Sequence, residues 1–254
     1  GLQKIGDILQ TEPAITQAPD APLLPPIEGH IEFKSVTFAY SEGNDVLCDV
    51  DLSIEPGETF ALVGATGAGK STIAKLITRF YDPSSGSVTI DGHDLRGVDI
   101  DSLRVQLGVV PQEPFLFHGT IRENIAFARP DATTEEINEA IRGVGLNEVV
   151  EQLTDGIDTL VHERGVSLSA GERQLLALAR AFIARPRVIV LDEATSSLDL
   201  RSEAQIERAL ETLLEGRTAV LIAHRLATAM KADRVAVVDD GKIIELGTHE
   251  ELVE

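Results

Sequence analysis

Cysteine is nearly missing from this sequence. A single one, Cys48, stands among 254 residues, so no disulfide forms within the chain, and the usage fits a reducing compartment. Its expected role is a buried structural thiol. Long apolar runs are also missing. No stretch of 18 or more apolar residues occurs, so nothing here is predicted to cross a bilayer as a helix. No charged n-region precedes an apolar h-region, and no secretory signal is visible. Basic residues are outnumbered, 22 Lys and Arg against 42 Asp and Glu, for a net charge of −20. No block of consecutive Lys and Arg interrupts that balance. Such a chain repels nucleic-acid phosphates, so no nucleic-acid partner is expected, and an anionic lipid surface repels it equally. Membrane attachment is therefore expected through covalent linkage or a protein partner, while the surplus acid serves solubility.

What is present is a core. With 43% hydrophobic residues, the chain is large enough for one sizeable domain or two small ones. Leu2, Ile5, Ile8 and Leu9 fall at helical spacing, and Pro13 ends the pattern. Residues 13–26 hold five of the eleven prolines and read as an extended linker. The boundary is placed after residue 28, with a domain over residues 29–254. From Ile31, alternation predicts a strand through Tyr40. Further strands are predicted at 59–63, 86–92, 187–193, 218–224, and in RVAVVDD and KIIELG. Residues 115–185 read as helical without strands, and a helix is predicted from about Leu200 to Leu214. Apolar strands of four to six residues followed by helices argue for a mainly parallel sheet covered on both faces. The early alternating strands argue for an antiparallel β subdomain, and the 115–185 block for a helical subdomain. No internal repeat is evident.

One strand runs into Gly64-Ala-Thr-Gly-Ala-Gly69-Lys70-Ser71, a phosphate-loop pattern. Glycines let the backbone wrap a phosphate with its N–H groups inward. The helix that follows presents its positive end. Gly64, Thr66, Gly67, Ala68, Gly69, Lys70, Ser71 and Thr72 are the expected nucleotide-binding residues. Lys70 is expected on the β- and γ-phosphates and the Ser71 hydroxyl on Mg²⁺. The fold class is thus α/β, with a P-loop NTPase (RecA-like) core. A second strand, Val188-Ile-Val-Leu191-Asp192-Glu193, ends in two carboxylates. Ligands gather at the carboxyl ends of parallel strands, which places Asp192 to hold Mg²⁺ and Glu193 to orient or deprotonate the attacking water.

The stretch LSAGERQLLALARA (168–181) resembles the signature motif of the ABC ATPases. Ser169 and Gly171 keep that motif's Ser and second Gly; Ala170 and Glu172 replace its first Gly and Gln. Other landmarks occur in the family's order. Tyr40 stands where family members stack a ring on adenine. Gln112 matches the glutamine that touches Mg²⁺ or water and senses the membrane domain. Ser197-Leu198-Asp199 matches the D-loop, whose Asp communicates across a dimer, and His224 the histidine on the γ-phosphate. FLFHGTIRENI, HERGVSLSAGERQ and GTHEEL look like the exporter-type branch, with Glu163-Arg164-Gly165 similar to its X-loop and His162 where a Gly is usual. The opening segment resembles the connection from a last transmembrane helix.

This resemblance covers roughly residues 31–252 and implies an ATPase that uses ATP and Mg²⁺. It implies a head-to-tail dimer with a second ABC ATPase domain, identical or not, each ATP lying between one phosphate loop and the other domain's Ser169 and Gly171. It also implies a transmembrane domain in the same full-length chain and a place at the cytoplasmic face of the cell (inner) membrane. A non-transport ABC ATPase of DNA repair or translation, and a regulatory ATP-binding module, are the alternatives; direction of transport and cargo lie in other parts.

Overall fold

The structure is a computed structural model and describes residues 15–41, 43–161, 168–192, 200–223 and 226–253. The helix expected over residues 2–9, together with Glu163, Arg164, Gly165, Glu193, Ser197, Leu198, Asp199 and His224, lies outside the described residues.

Alternating side chains build the first sheet. Strand β1 (Ile31–Ala39) buries Ile31, Phe33, Val36 and Phe38 and pairs antiparallel with β2 (Asp45–Ile54). The sequence reading assigns no strand to β2, for a physical reason. Its buried residues are Leu47, Val50, Leu52 and Ile54, so the period of two breaks at Asp49. That residue has φ of 51° and donates its N–H to Thr37 Oγ1 at 3.1 Å. The extra residue is a bulge, and it interrupts the alternation that identifies a strand. Cys48, within the bulge, is half-buried rather than buried.

The chain continues through β3 (Thr59–Val63), α1 (Lys70–Ile77), β4 (Ser85–Ile90), β5 (His93–Asp94), α2 (Ile100–Arg104) and β6 (Leu107–Val110). The first sheet has the order β2-β1-β4-β5, antiparallel as expected. Next come β7 (Gly119–Thr120), α3 (Ile121–Ala126), α4 (Thr134–Gly143), α5 (Asn147–Gln152), β8 (Leu160–Val161) and α6 (Ala170–Ala184). The expectation of no strands between residues 115 and 185 is corrected here: β7 and β8 form a two-stranded antiparallel ribbon. Two residues per strand are too few to show a period. Helices α3, α4 and α6 each start in a reciprocal capping box, Thr120 with Glu123, Thr133 with Glu136, and Ser169 with Glu172, which satisfies two backbone donors per helix.

The last part holds β9 (Val188–Asp192), α7 (Leu200–Leu214), β10 (Thr218–Ile222), α8 (Leu226–Ala229), β11 (Arg234–Asp239), β12 (Lys242–Gly247) and α9 (His249–Val253). The second sheet has the order β12-β11-β3-β10-β9-β6, parallel except for the edge strand β12. That edge arises from a tight hairpin in which Asp240 and Gly241 have φ of 44° and 74°, the left-handed pair a two-residue turn needs. Both faces of the sheet are covered. Val188, Val190, Val220 and Ile222 pack with α1 and the antiparallel sheet. Ile189, Leu191, Ala219 and Leu221 pack with the helices of the 115–185 block and α7.

Of the proline-rich segment, the described residues turn at 18–21, and from Pro22 the chain is docked. Pro22 C=O accepts from Asp99 N–H at 2.8 Å, Leu24 N–H donates to Ser102 Oγ at 2.9 Å, and Ile27 N–H to Gln106 Oε1 at 2.9 Å. Leu24 and Ile27 are buried. Asp91 then accepts the N–H groups of Glu28 and His30 at 2.6 and 2.8 Å.

Candidate functional site

The site begins where β3 stops. Register places Leu62, Ile222 and Asp192 in one row across β3, β10 and β9, so the phosphate loop and Asp192 emerge at the same carboxyl edge. Glycine is required at two points of the loop. Gly64 has φ of 146°, and a Cβ there would lie 2.0 Å from Val238 C=O; Gly69 has φ of 114°, and a Cβ there would lie 2.7 Å from Leu47 Cδ2. Ala68 C=O accepts from Gly241 N–H at 3.0 Å, so the β11–β12 hairpin braces the loop from behind. Gly64, Ala65, Thr66 and Gly67 are exposed, while Ala68, Gly69 and Lys70 are buried.

Helix α1 starts at Lys70 with Gly69 as its N-cap, no side chain caps it, and no acidic residue lies in its first turn. Its first N–H groups have no partner within the helix. In a chain of net charge −20, this is a local concentration of positive potential facing an exposed loop. Lys70 is only 4% exposed. Its Nζ donates to the carbonyls of Gly64 at 2.6 Å and Ala65 at 2.9 Å. Burial lowers its pKa below the usual lysine range, and the field of Asp192 opposes that shift. This donor set fits a polyphosphate: uncapped amides, one mobile ammonium and space above Gly67, where a Cβ would meet nothing within 4 Å.

The candidate metal ligands are hard oxygen donors. Ser71 is exposed on α1, Gln112 is exposed just after β6, and Asp192 is half-buried at the end of β9. Among the described residues no cluster of three or more His, Cys, Asp or Glu could hold a metal by itself. Oxygen donors of this kind are the ones a hard cation such as Mg²⁺ takes, alongside phosphate oxygens and water.

Tyr40 follows β1 and is 47% exposed. Its hydroxyl shares a hydrogen bond with Thr72 Oγ1 at 3.1 Å, so the structure brings the expected base platform and the loop's helix together, and Thr72 is committed to that ring. Sequence reasoning missed two neighbours of this ring, Lys75 and Tyr81.

Ser169 and Gly171 open α6 in the helical block. Ser169 Oγ accepts from Glu172 N–H at 3.2 Å, and Glu172 Oε2 accepts from Ser169 N–H at 2.6 Å. The carboxylate that replaces the usual glutamine is thus turned into its own capping box. Gly171 is buried, and a Cβ there would lie 2.7 Å from Ser202 Oγ on α7. Packing of α6 on α7 therefore requires the glycine, while the N–H groups of Ala170 and Gly171 belong to the helix's open first turn. The remaining expected residues, Glu193, Asp199 and His224, lie outside the described residues.

A family profile described as ABC transporter matches residues 47–196. A fatty acid ABC transporter ATP-binding/permease protein of Mycobacterium tuberculosis is 47% identical over 251 residues, which is 99% of this chain and 40% of that protein. The heavy metal tolerance protein of Schizosaccharomyces pombe is 45% identical over 251 residues, 99% of this chain and 30% of that protein. A solved structure of a bacterial Atm1-family ABC exporter with ATP bound superposes with a TM-score of 0.92 at 38% identity, over 99% of this chain and 44% of that one. The chain thus spans less than half the length of these relatives.

Proposed function

The chain belongs to the ABC transporter family, as its ATP-binding ATPase segment, and from that premise we propose that it powers transport across a membrane in a protein of the exporter-type branch. The observation that carries the reading is the phosphate loop: an uncapped helix N-terminus and the buried Lys70, at the same sheet edge as Asp192. A transmembrane domain in the same full-length chain is supported by relatives named as ATP-binding/permease proteins, of which this chain covers 40%. No helix among the described residues is long and apolar enough to cross a membrane. The motor then works at the cytoplasmic face, attached through that domain. Relatives named for fatty acid transport and for heavy metal tolerance share this segment at similar identity, as expected of a motor that touches phosphates rather than cargo.

In this reading the roles divide as follows. Lys70 exchanges the carbonyls of Gly64 and Ala65 for β- and γ-phosphate oxygens. The backbone of Gly64, Thr66, Gly67, Ala68 and Gly69 surrounds the triphosphate, with Thr72 behind it. Tyr40 presents its ring to adenine. Ser71, Gln112 and Asp192 hold Mg²⁺, which when bound polarises the phosphate oxygens. Glu193 takes the proton of the attacking water, and His224 orients on the γ-phosphate. The open first turn of α6, with Ser169 and Gly171, closes on the γ-phosphate of a second such domain, and Asp199 links the two sites. ATP is then shared between two surfaces, and its hydrolysis separates them.

The test is Glu193→Gln on a sizing column with and without ATP and Mg²⁺. A nucleotide-dependent dimer supports the shared site, the role of Glu193 and self-complementary partners. A monomer that binds ATP points to a different partner domain or to closure that needs the membrane domain. Failure to bind ATP overturns the reading.

A further inference from the structure

The ring assigned above to adenine is held from several sides. Tyr40 meets Phe38 edge-on at 4.9 Å and Tyr81 edge-on at 5.1 Å between centroids. Its hydroxyl bonds Thr72 Oγ1 and accepts from Lys75 Nζ at 3.3 Å. The same ammonium stands over the Tyr40 ring, 5.2 Å from its centroid, and 5.9 Å from that of Tyr81. Thr72 and Lys75 lie on α1, whose first residues are Lys70 and Ser71. Tyr40 belongs to the other sheet's end.

We propose that Lys75 is a positioning residue for the nucleoside, acting through Tyr40. Its ammonium and the Thr72 hydroxyl tie an otherwise half-exposed ring to the helix that carries the phosphate-binding residues. Base platform and phosphate loop then keep one spacing, although they arise from different sheets. A ring held this way loses little rotational freedom when a base stacks on it. Lys75 acts on the base alone: α1 directs it toward Tyr40 and Tyr81, away from the carbonyls that Lys70 binds. The inference rests on Tyr40 being the base platform.

The experiment is calorimetric titration of the chain with a non-hydrolysable ATP analogue and, separately, with inorganic tripolyphosphate, which has the phosphates without the base. Lys75→Ala is expected to weaken the analogue about 2–5-fold, the size of an exposed cation–π contact, and to leave tripolyphosphate unchanged. Lys75→Arg restores affinity. In a Tyr40→Ala background, itself weakened by roughly fivefold or more, Lys75→Ala has no further effect. Equal weakening of tripolyphosphate, or full additivity with Tyr40→Ala, overturns the proposal. If Tyr40→Ala weakens the analogue and Lys75→Ala does not, the proposal alone fails. If Tyr40→Ala changes nothing, the platform reading fails and takes the proposal with it.

Discussion

Replacing Lys70 with alanine separates what this residue does for the fold from what it does for the ligand. Its ammonium makes two short hydrogen bonds to loop carbonyls, at 2.6 and 2.9 Å. Hydrogen bonds from a charged donor contribute about 1.5–3 kcal/mol each. Against them stands the cost of burying the ammonium, the same effect that lowers its pKa. The sign follows: a lysine whose folded pKa is lowered destabilises the fold below that pKa, and the penalty fades as pH rises toward the unfolded value of 10.5. The carbonyls of Gly64 and Ala65 lie in an exposed stretch and regain water when the lysine is gone. The two effects oppose, so the unliganded melting temperature should move by no more than about 4 °C, the equivalent of roughly 1 kcal/mol at this size. The ligand response should change far more. With nucleotide at a hundredfold excess over Kd, binding stabilises by about 2.7 kcal/mol, or roughly 5–11 °C. Losing one charged contact of about 2 kcal/mol weakens affinity about 30-fold and leaves a shift near 0.9 kcal/mol, roughly 2–4 °C. Thermal melts with and without Mg²⁺ and a non-hydrolysable ATP analogue read both numbers. A variant whose unliganded melt drops by about 8 °C or more, or whose nucleotide shift survives intact, would refute this account of Lys70.

Three other outcomes are expected. Gly171→Ala should destabilise by about 1–3 kcal/mol through overpacking, because its Cβ would meet Ser202; Ser202→Gly in the same chain should recover most of the loss in a denaturant titration. Breaking the clamp of Arg234 on Glu58, made at 2.6 and 2.9 Å, with Glu58→Ala should lower the melting temperature by several degrees, and Glu58→Gln by less, since charge-assisted bonds are about twice as strong as neutral ones. The Glu136 carboxylate is held down to about 2 by Arg129 and then by the Thr133 N–H. Its stabilisation is therefore complete above about 4.5 and disappears as pH falls toward 2, so the protection of amides in the first turn of α4, measured against their intrinsic exchange at each pH, should fall over that range, and Glu136→Gln should remove the dependence.

Much of the fold is readable in the chain because most of its strands are either largely alternating, as β1 is on each side of Ser35, or wholly apolar. Strands β9 and β10, buried on both faces, leave a signal that needs no partner to recognise. The phosphate loop is equally local in its spacing, although Gly64 and Gly69 answer also to Val238 and Leu47 far along the chain. Strand β2 escapes because the bulge at Asp49 shifts its phase, and β7 and β8 because they are too short to have one. Lys75 escapes for another reason. Its meaning lies in a ring 35 residues away, and no property of α1 alone points to it. The use of Glu172 in a capping box is legible in the spacing from Ser169, yet the family comparison draws attention to its charge and away from that bond.

The strap formed by residues 15–30 bears on how motion enters the domain. Its bonds to Asp99, Ser102, Gln106 and Asp91 are spread along its length. A pull along the strap loads them together, in shear, whereas a pull outward would peel them one after another. A load on residues 22–30 is therefore not taken up as slack. It passes into α2 and, through Gln106, to the root of β6, a strand of four residues with Gln112 just beyond its far end. The strap and the glutamine are two ends of one short, stiff rod.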